Sequence, residues 1–307
     1  MHTLKLIVVV FSLLVGLPGA HAQEVDYTRT RYPIVLAHGM AGFDTLFGAV
    51  DYWYGVPEAL RAGGAEVFLT RVSAFNRTEE RAEQLLRQIE IITALTGKPR
   101  VNIIAHSQGG LDSRYVMGVR PDLVASLTTV ATPHKGTDAA DFLRDNLNEG
   151  GFTERAIGFL ADQLGEILAL LSGSEIPQDA IAATESLTSE GAAAFNARFP
   201  WGLPENRCGE GPAEVEGIKL FSMSGASALT NPLDATDAAF AITTLLVDGD
   251  DDGLVPVCSS HFGVVIRDDF RQNHGDEVGQ LVGLVGRSAD ARAILRAHAH
   301  RLREAGL

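Results

Sequence analysis

Cysteine is nearly absent. Cys208 and Cys258 are the only two in 307 residues, too few for a disulfide-dense small scaffold. Basic residues are in the minority: 25 Lys and Arg stand against 39 Asp and Glu, for a formal net charge of −14. A chain of that sign is repelled by nucleic acid and by anionic membrane surfaces, so nucleic acid is excluded as an expected partner. The same excess leaves carboxylates to spare for a divalent cation. Internal repeats and low-complexity tracts are missing. Beyond the first two dozen residues there is also no apolar run near the roughly 20 residues that span a bilayer, so no transmembrane segment is expected. What remains is a chain with 46% hydrophobic residues, enough for a large core. A single α/β domain of this size is ordinary, although length alone also allows two.

The first residues have a different character. Lys5 precedes an unbroken apolar run over residues 6–17, Pro18 and Gly19 break it, and Ala20-His21-Ala22 supplies small residues two apart. A charged start, an apolar stretch of about a dozen residues and an A-x-A-like end describe a signal peptide over residues 1–22. Cleavage near Ala22 then gives a secreted, extracellular protein whose single domain covers residues 23–307. Export makes a Cys208–Cys258 bridge the expectation, because an oxidising compartment permits it. In the chain-entropy model, closing a loop of about 50 residues contributes roughly 4 kcal/mol.

The chain is organised around Val101-Asn102-Ile103-Ile104-Ala105-His106-Ser107-Gln108-Gly109-Gly110. An apolar, β-branched run reads as a buried parallel strand. It turns abruptly into glycines and a helical pattern. Small residues crowd one serine in this way where the chain bends sharply and another backbone comes close. This is the strand–turn–helix context of a nucleophile elbow, with Ala105 where G-x-S-x-G has its first glycine. Upstream, residues 32–37 read as a short apolar strand running into His38-Gly39-Met40-Ala41-Gly42. In such an arrangement two backbone N–H groups face the oxyanion of a tetrahedral intermediate. The candidates are those of Met40 and Gln108.

Elsewhere strands and helices alternate. Residues 65–70, 124–131 and 219–224 read as strands. A helix capped at Asn76 carries Leu85, Ile89 and Ile92 on one face, and others follow at 111–119, 188–199 and 293–303. Alternation implies a mostly parallel, doubly wound sheet with helices on both faces. Ligands bind such sheets beyond the carboxyl ends of the strands. From about 137 to 175 the pattern changes. Phe159, Leu160, Leu164, Ile167, Leu168 and Leu171 recur at three and four, with glycines at 150, 151 and 173. This reads as a helical lid with an apolar face and hinges.

A serine nucleophile of this type needs an acid and then a base later in the chain. The acid belongs to the cluster Asp248-Gly249-Asp250-Asp251-Asp252-Gly253, which the residues alone do not resolve. For the base, His274 in the polar loop Arg271-Gln272-Asn273-His274-Gly275-Asp276 is preferred to His261, while His298 and His300 sit in an arginine-rich helix and read as solvated.

Four ordered segments resemble the secreted bacterial lipases of family I, the Pseudomonas/Burkholderia type: Pro33-Ile34-Val35-Leu36-Ala37-His38-Gly39-Met40, Ala105-His106-Ser107-Gln108-Gly109-Gly110, Asp252-Gly253-Leu254-Val255 and His274-Gly275-Asp276-Glu277-Val278. The resemblance covers essentially all of the chain after residue 22. It implies an α/β-hydrolase fold and a triacylglycerol lipase acting on lipid at an oil–water interface, with Ser107, Asp252 and His274 as nucleophile, acid and base. It also implies one structural Ca2+, held by the carboxylates of Asp234 and Asp276 and the carbonyls of Gln280 and Leu284. These are the hard oxygen ligands calcium takes. A Cys208–Cys258 bridge fits the resemblance, and so does dependence on a lipase-specific foldase. Two other readings compete: a carboxylesterase for short soluble esters, and a catalytically silent lipid-binding protein.

Overall fold

The structure, a computed structural model, describes residues 26–40, 45–46, 50–149, 179–280, 283–286 and 289–307. The signal peptide expected over residues 1–22 and the apolar face expected of the lid at residues 159–171 lie outside the described residues. Nine strands run in chain order among those described: β1 Ile34–Ala37, β2 Thr45–Leu46, β3 Val50–Asp51, β4 Val67–Leu69, β5 Val101–His106, β6 Val124–Val130, β7 Glu214–Val215, β8 Ile218–Gly225 and β9 Val264–Phe270. Strands β2 and β3 form a separate antiparallel pair, and the other seven make one sheet in the order β4-β1-β5-β6-β8. Beyond β8 the edge is shared. The short β7 pairs antiparallel with its first residues, and β9 pairs parallel with its later ones. Every other pairing in the sheet is parallel.

Parallel pairing demands crossovers, and the crossovers cover both faces. Successive side chains of a strand point to opposite sides. Val35, Ala37 and Ile103 therefore pack with Leu85, Ile89 and Ile92 of helix α2 (Thr78–Thr96) and with Val116 and Met117 of helix α3 (Gln108–Val119). Ile34, Leu36 and Ile104 pack on the other side with Trp53, Val56, Leu60, Leu295 and Ala299, the last two from the helix Ala291–Glu304. A sheet covered on both faces leaves β1, β5 and β6 buried along their whole length, with Asn102, Ser126, Thr128 and Thr129 the polar side chains among their apolar ones besides His106.

Several expectations are corrected in detail. Helix α2 starts one residue late: Arg77 is its N-cap, and Asn76 instead accepts the Arg77 N–H through its side chain. The strand β9 and the helix Val56–Ala62 were not expected. A further helix, Ala235–Thr243, follows the loop that carries Asp234. His298 is not solvated. It is fully buried, its Nε2 lies 2.7 Å from the Thr128 hydroxyl of the central strand β6, and burial pushes its pKa down to about 3. Basic residues dominate the pattern of the helix Ala291–Glu304, yet one face of it packs on the sheet. Within the expected lid region, the helix Asp138–Glu149 is described. Cys208 and Cys258 are bonded to one another, and no free cysteine remains among the described residues. No helix among the described residues is long and apolar enough to cross a membrane.

Candidate active site

Ser107 sits where β5 ends and α3 begins, with φ 54° and ψ −131°. Non-glycine residues rarely adopt positive φ, and such strain persists only where the surroundings hold it. Here they do. The Ser107 N–H donates to the Val130 carbonyl at 2.9 Å, tying the turn to β6. The end of β1 presses against it from the other side. A Cβ placed on Gly39 would lie 2.6 Å from the Ser107 Cβ, and one on Gly109 would lie 2.6 Å from the His38 carbonyl oxygen. Only glycine permits this approach, so two glycines of the sequence motifs are spent on bringing the His38-Gly39-Met40 segment onto the serine.

The loop after β9 carries His274. Its Nδ1 is 2.7 Å from Asp252 Oδ2. The Asp252 main chain meets the same residue, because the His274 N–H donates to its carbonyl at 2.9 Å. Asp252 is fully buried, and its Oδ1 accepts from the N–H groups of Leu254 and Val255 at 2.9 and 2.7 Å. Asp251, which the sequence could not separate from it, instead accepts from the Thr244 hydroxyl and from the Gly253 N–H, both at 2.6 Å. His261 lies elsewhere, between Asp268 and the Gly209 carbonyl, each at 3.1 Å. The His274 ring is 4.5 Å, centroid to centroid, from the ring of His106, the residue before Ser107.

Behind these residues runs a buried polar network that sequence reasoning missed. The Gly39 N–H donates to the Tyr52 hydroxyl at 3.1 Å, and that hydroxyl is 2.6 Å from His106 Nδ1. His106 Nε2 is 3.3 Å from Glu277 Oε2, and Glu277 Oε1 accepts from the Gly225 N–H. Burial, with the facing His274, holds His106 well below the usual histidine range; burial, with Asp252 nearby, holds Glu277 well above the usual carboxylate range. His106, His274 and Glu277 bring ligand atoms close enough for a metal. Each of these residues is already engaged by a hydrogen bond, so the arrangement reads as a network. Arg81 is a second omission. It is fully buried and gives Nε to Asp112 Oδ2, Nη2 to the His38 carbonyl, both at 2.9 Å, and Nη1 to the Ser73 carbonyl. An arginine one turn into an amphipathic helix carries no sequence signal of burial.

The implied calcium ligands can be tested for fit. Asp234 and Asp276 are both buried, and their charges act on one another. Asp276 Oδ1 is shut off from solvent with no hydrogen-bond donor at bonding geometry. Burial, with Asp234 adding to it, pushes the Asp276 carboxyl up to about 6. Two buried carboxylates whose charges act on one another, one with an oxygen that has no donor at bonding geometry, fit a cation. Gln280 lies on the same turn, its N–H donating to the Gly275 carbonyl at 2.9 Å, and Leu284 is on the surface beyond it. Asp237 anchors this loop through Asn273: Asn273 Nδ2 donates to it at 2.7 Å, while Asn273 Oδ1 accepts from the N–H groups of Gly275 and Asp276.

Residues 32–261 match the family model of the alpha/beta hydrolase fold. A triacylglycerol lipase of Vibrio cholerae is 46% identical over 291 residues, covering 94% of this chain and 93% of that protein. One from Pseudomonas fragi is 38% identical (92% and 99% covered), and one from Burkholderia plantarii is 37% identical (94% and 90% covered). Among solved structures, a lipase of Staphylococcus hyicus aligns with a TM-score of 0.59 at 20% identity, covering 89% of this chain and 96% of that one, a likeness of fold. With its seven-stranded sheet, its strained serine between β5 and α3, and these relatives matched over nearly their whole length, the chain belongs to the α/β-hydrolase family and, within it, to the bacterial lipases.

Proposed function

We propose that this protein is a secreted triacylglycerol lipase that cleaves carboxylic esters of lipids through an acyl-enzyme, with Ser107 as nucleophile, His274 as base and Asp252 as acid. The observation that carries the reading is the 2.7 Å contact of His274 Nδ1 with buried Asp252, on a ring packed beside the residue preceding the strained serine. With Nδ1 donating to Asp252, the lone pair of the neutral ring is on Nε2, the atom a general base needs. Ser107 Oγ attacks the ester carbonyl carbon as its proton passes to His274 Nε2. The carbonyl oxygen becomes an oxyanion that accepts from the N–H groups of Met40 and Gln108. The imidazolium, held by Asp252, returns its proton to the departing alcohol and leaves an acyl-serine. Water then attacks the acyl carbon, gives one proton to His274, and the collapse restores Ser107 and releases the fatty acid.

The lipid substrate is supported by the names of the relatives and by the apolar periodicity of residues 156–171. Export is supported by the pattern of residues 1–22, and a foldase partner by the resemblance alone. Emulsified long-chain triglyceride, compared with a soluble short-chain ester, tests the substrate class. Turnover of the emulsion is the expected result. Hydrolysis restricted to the soluble ester would make the chain a carboxylesterase.

Asp234, Asp276 and the carbonyls of Gln280 and Leu284 would hold the calcium. The ion would supply charge neutralisation between two segments distant in sequence and so fasten the loop that carries His274. Binding to the folded state alone stabilises by mass action, about 2.7 kcal/mol at a hundredfold excess over Kd. Wild-type Tm is therefore expected to climb with free calcium and that of Asp276→Ala to stay flat. A wild-type Tm unmoved by calcium after complete chelation would remove the site.

A further inference from the structure

His38, at the end of β1, has no part in the chemistry above, yet it is buried. The Val72 N–H donates to its Nε2 at 3.2 Å. That bond requires a lone pair on Nε2, so the proton of the neutral ring is on Nδ1. Nδ1 lies 2.9 Å from the Gly39 carbonyl oxygen and donates to it. The consequence follows from peptide geometry. The Gly39 carbonyl and the Met40 N–H belong to one planar unit and point in opposite directions, so holding the oxygen aims the N–H. The preceding peptide is held as well, since Arg81 Nη2 donates to the His38 carbonyl and the Gly39 N–H donates to the Tyr52 hydroxyl. The segment needs this bracing. Gly39 lacks the side chain that would restrict its own dihedrals, and it must be glycine because of its approach to Ser107.

We propose that His38 is a positioning residue for acyl transfer: its Nδ1–H, selected as the tautomer by Val72, locks the Gly39–Met40 peptide so that the Met40 N–H faces the forming oxyanion. The proposal rests on the assignment of Ser107 and Met40 above. A donor aimed in advance costs no reorganisation when charge develops, which is where such groups act on rate. His38 touches no substrate, so its effect falls on kcat and not on KM.

Three substitutions separate hydrogen bonding from packing. His38→Asn places an amide N–H where Nδ1 is and abandons Val72. His38→Gln places an amide oxygen where Nε2 is and abandons the Gly39 carbonyl. His38→Phe keeps the ring volume and abandons both. Each is measured for kcat and KM on p-nitrophenyl butyrate, for inhibition by an arylboronic acid that forms a tetrahedral adduct with serine, and for Tm. The expected result is a kcat lowered about 100-fold in His38→Gln and His38→Phe and by clearly less in His38→Asn. KM should stay within about twofold, and boronate affinity should fall in step with kcat. Folded His38→Phe or His38→Gln keeping more than about half of wild-type kcat would overturn the proposal, as would losses of kcat that follow Tm instead of the donor. Ser107→Ala is run alongside. If it is active, the assignment of the nucleophile fails; if it is inactive while His38→Phe is active, only the role of His38 fails.

Discussion

Ser107→Ala is expected to lower kcat for ester hydrolysis about a million-fold, with Tm close to that of the wild type. In the proposed mechanism the hydroxyl is the attacking atom, and no other described side chain at the elbow can replace it. His106 is engaged by Tyr52 and Glu277, and the Gln108 side chain donates to the Asn76 carbonyl at 3.0 Å. The positive φ of residue 107 is imposed by β5, β6 and α3 and costs alanine about what it costs serine, so the substitution separates chemistry from folding. What survives is the contribution of oriented N–H donors and substrate binding, which outlasts the loss of a nucleophile. The check is single-turnover hydrolysis of a soluble ester, with Tm on the same samples. A residual rate above about one hundredth of wild type would mean that another group attacks the ester.

Arg81→Met should be the most destabilising single change at a position outside the proposed triad. It leaves the Asp112 carboxylate buried without its cation and takes donors from the carbonyls of His38 and Ser73. Removing one partner of a buried ion pair costs about 3–5 kcal/mol, whereas removing both is much milder. Arg81→Met/Asp112→Leu should accordingly recover part of the Tm lost by the single variant. Burial already pushes Asp112 up to about 7 against the pull of Arg81, and losing that pull raises it further. A carboxyl with a folded pKa above its unfolded value favours the fold at low pH. Wild type and single variant should therefore lose stability in parallel from about pH 4 to 6, and the variant should lose ground to wild type as pH rises from about 6 to 9, where the wild-type carboxyl ionises beside Arg81 and that of the variant stays protonated. Urea melts across that range test both statements. A single variant within about 1 kcal/mol of wild type at pH 7 would show that Asp112 does not depend on Arg81.

Some of this protein was determined by its sequence alone, because local pattern and local chemistry coincide. The apolar run of β5 and the glycines after Ser107 can serve only a buried strand entering a tight turn, and the period of residues 85–92 only a helix lying on a sheet. His274 was favoured over His261 from its polar loop. The choice of Asp252 over Asp251 was different. Neighbouring aspartates have the same local chemistry, and their roles part only when the chain folds: one meets His274 and two backbone N–H groups, the other meets Thr244 and Gly253. Burial of polar groups was likewise decided only by tertiary structure. Arg81 and His298 have the composition of exposed helix faces, and Tyr52 sits in a stretch that reads simply as aromatic. Each is buried because a partner distant in sequence satisfies it: Asp112 is 31 residues from Arg81, Thr128 is 170 from His298, and His106 is 54 from Tyr52. A hydrogen bond across such a separation leaves no periodicity to read. The Val72 N–H on His38, 34 residues away, and the approach of Asp234 to Asp276 are of this kind, made by the fold from residues whose neighbours in the chain do not announce them.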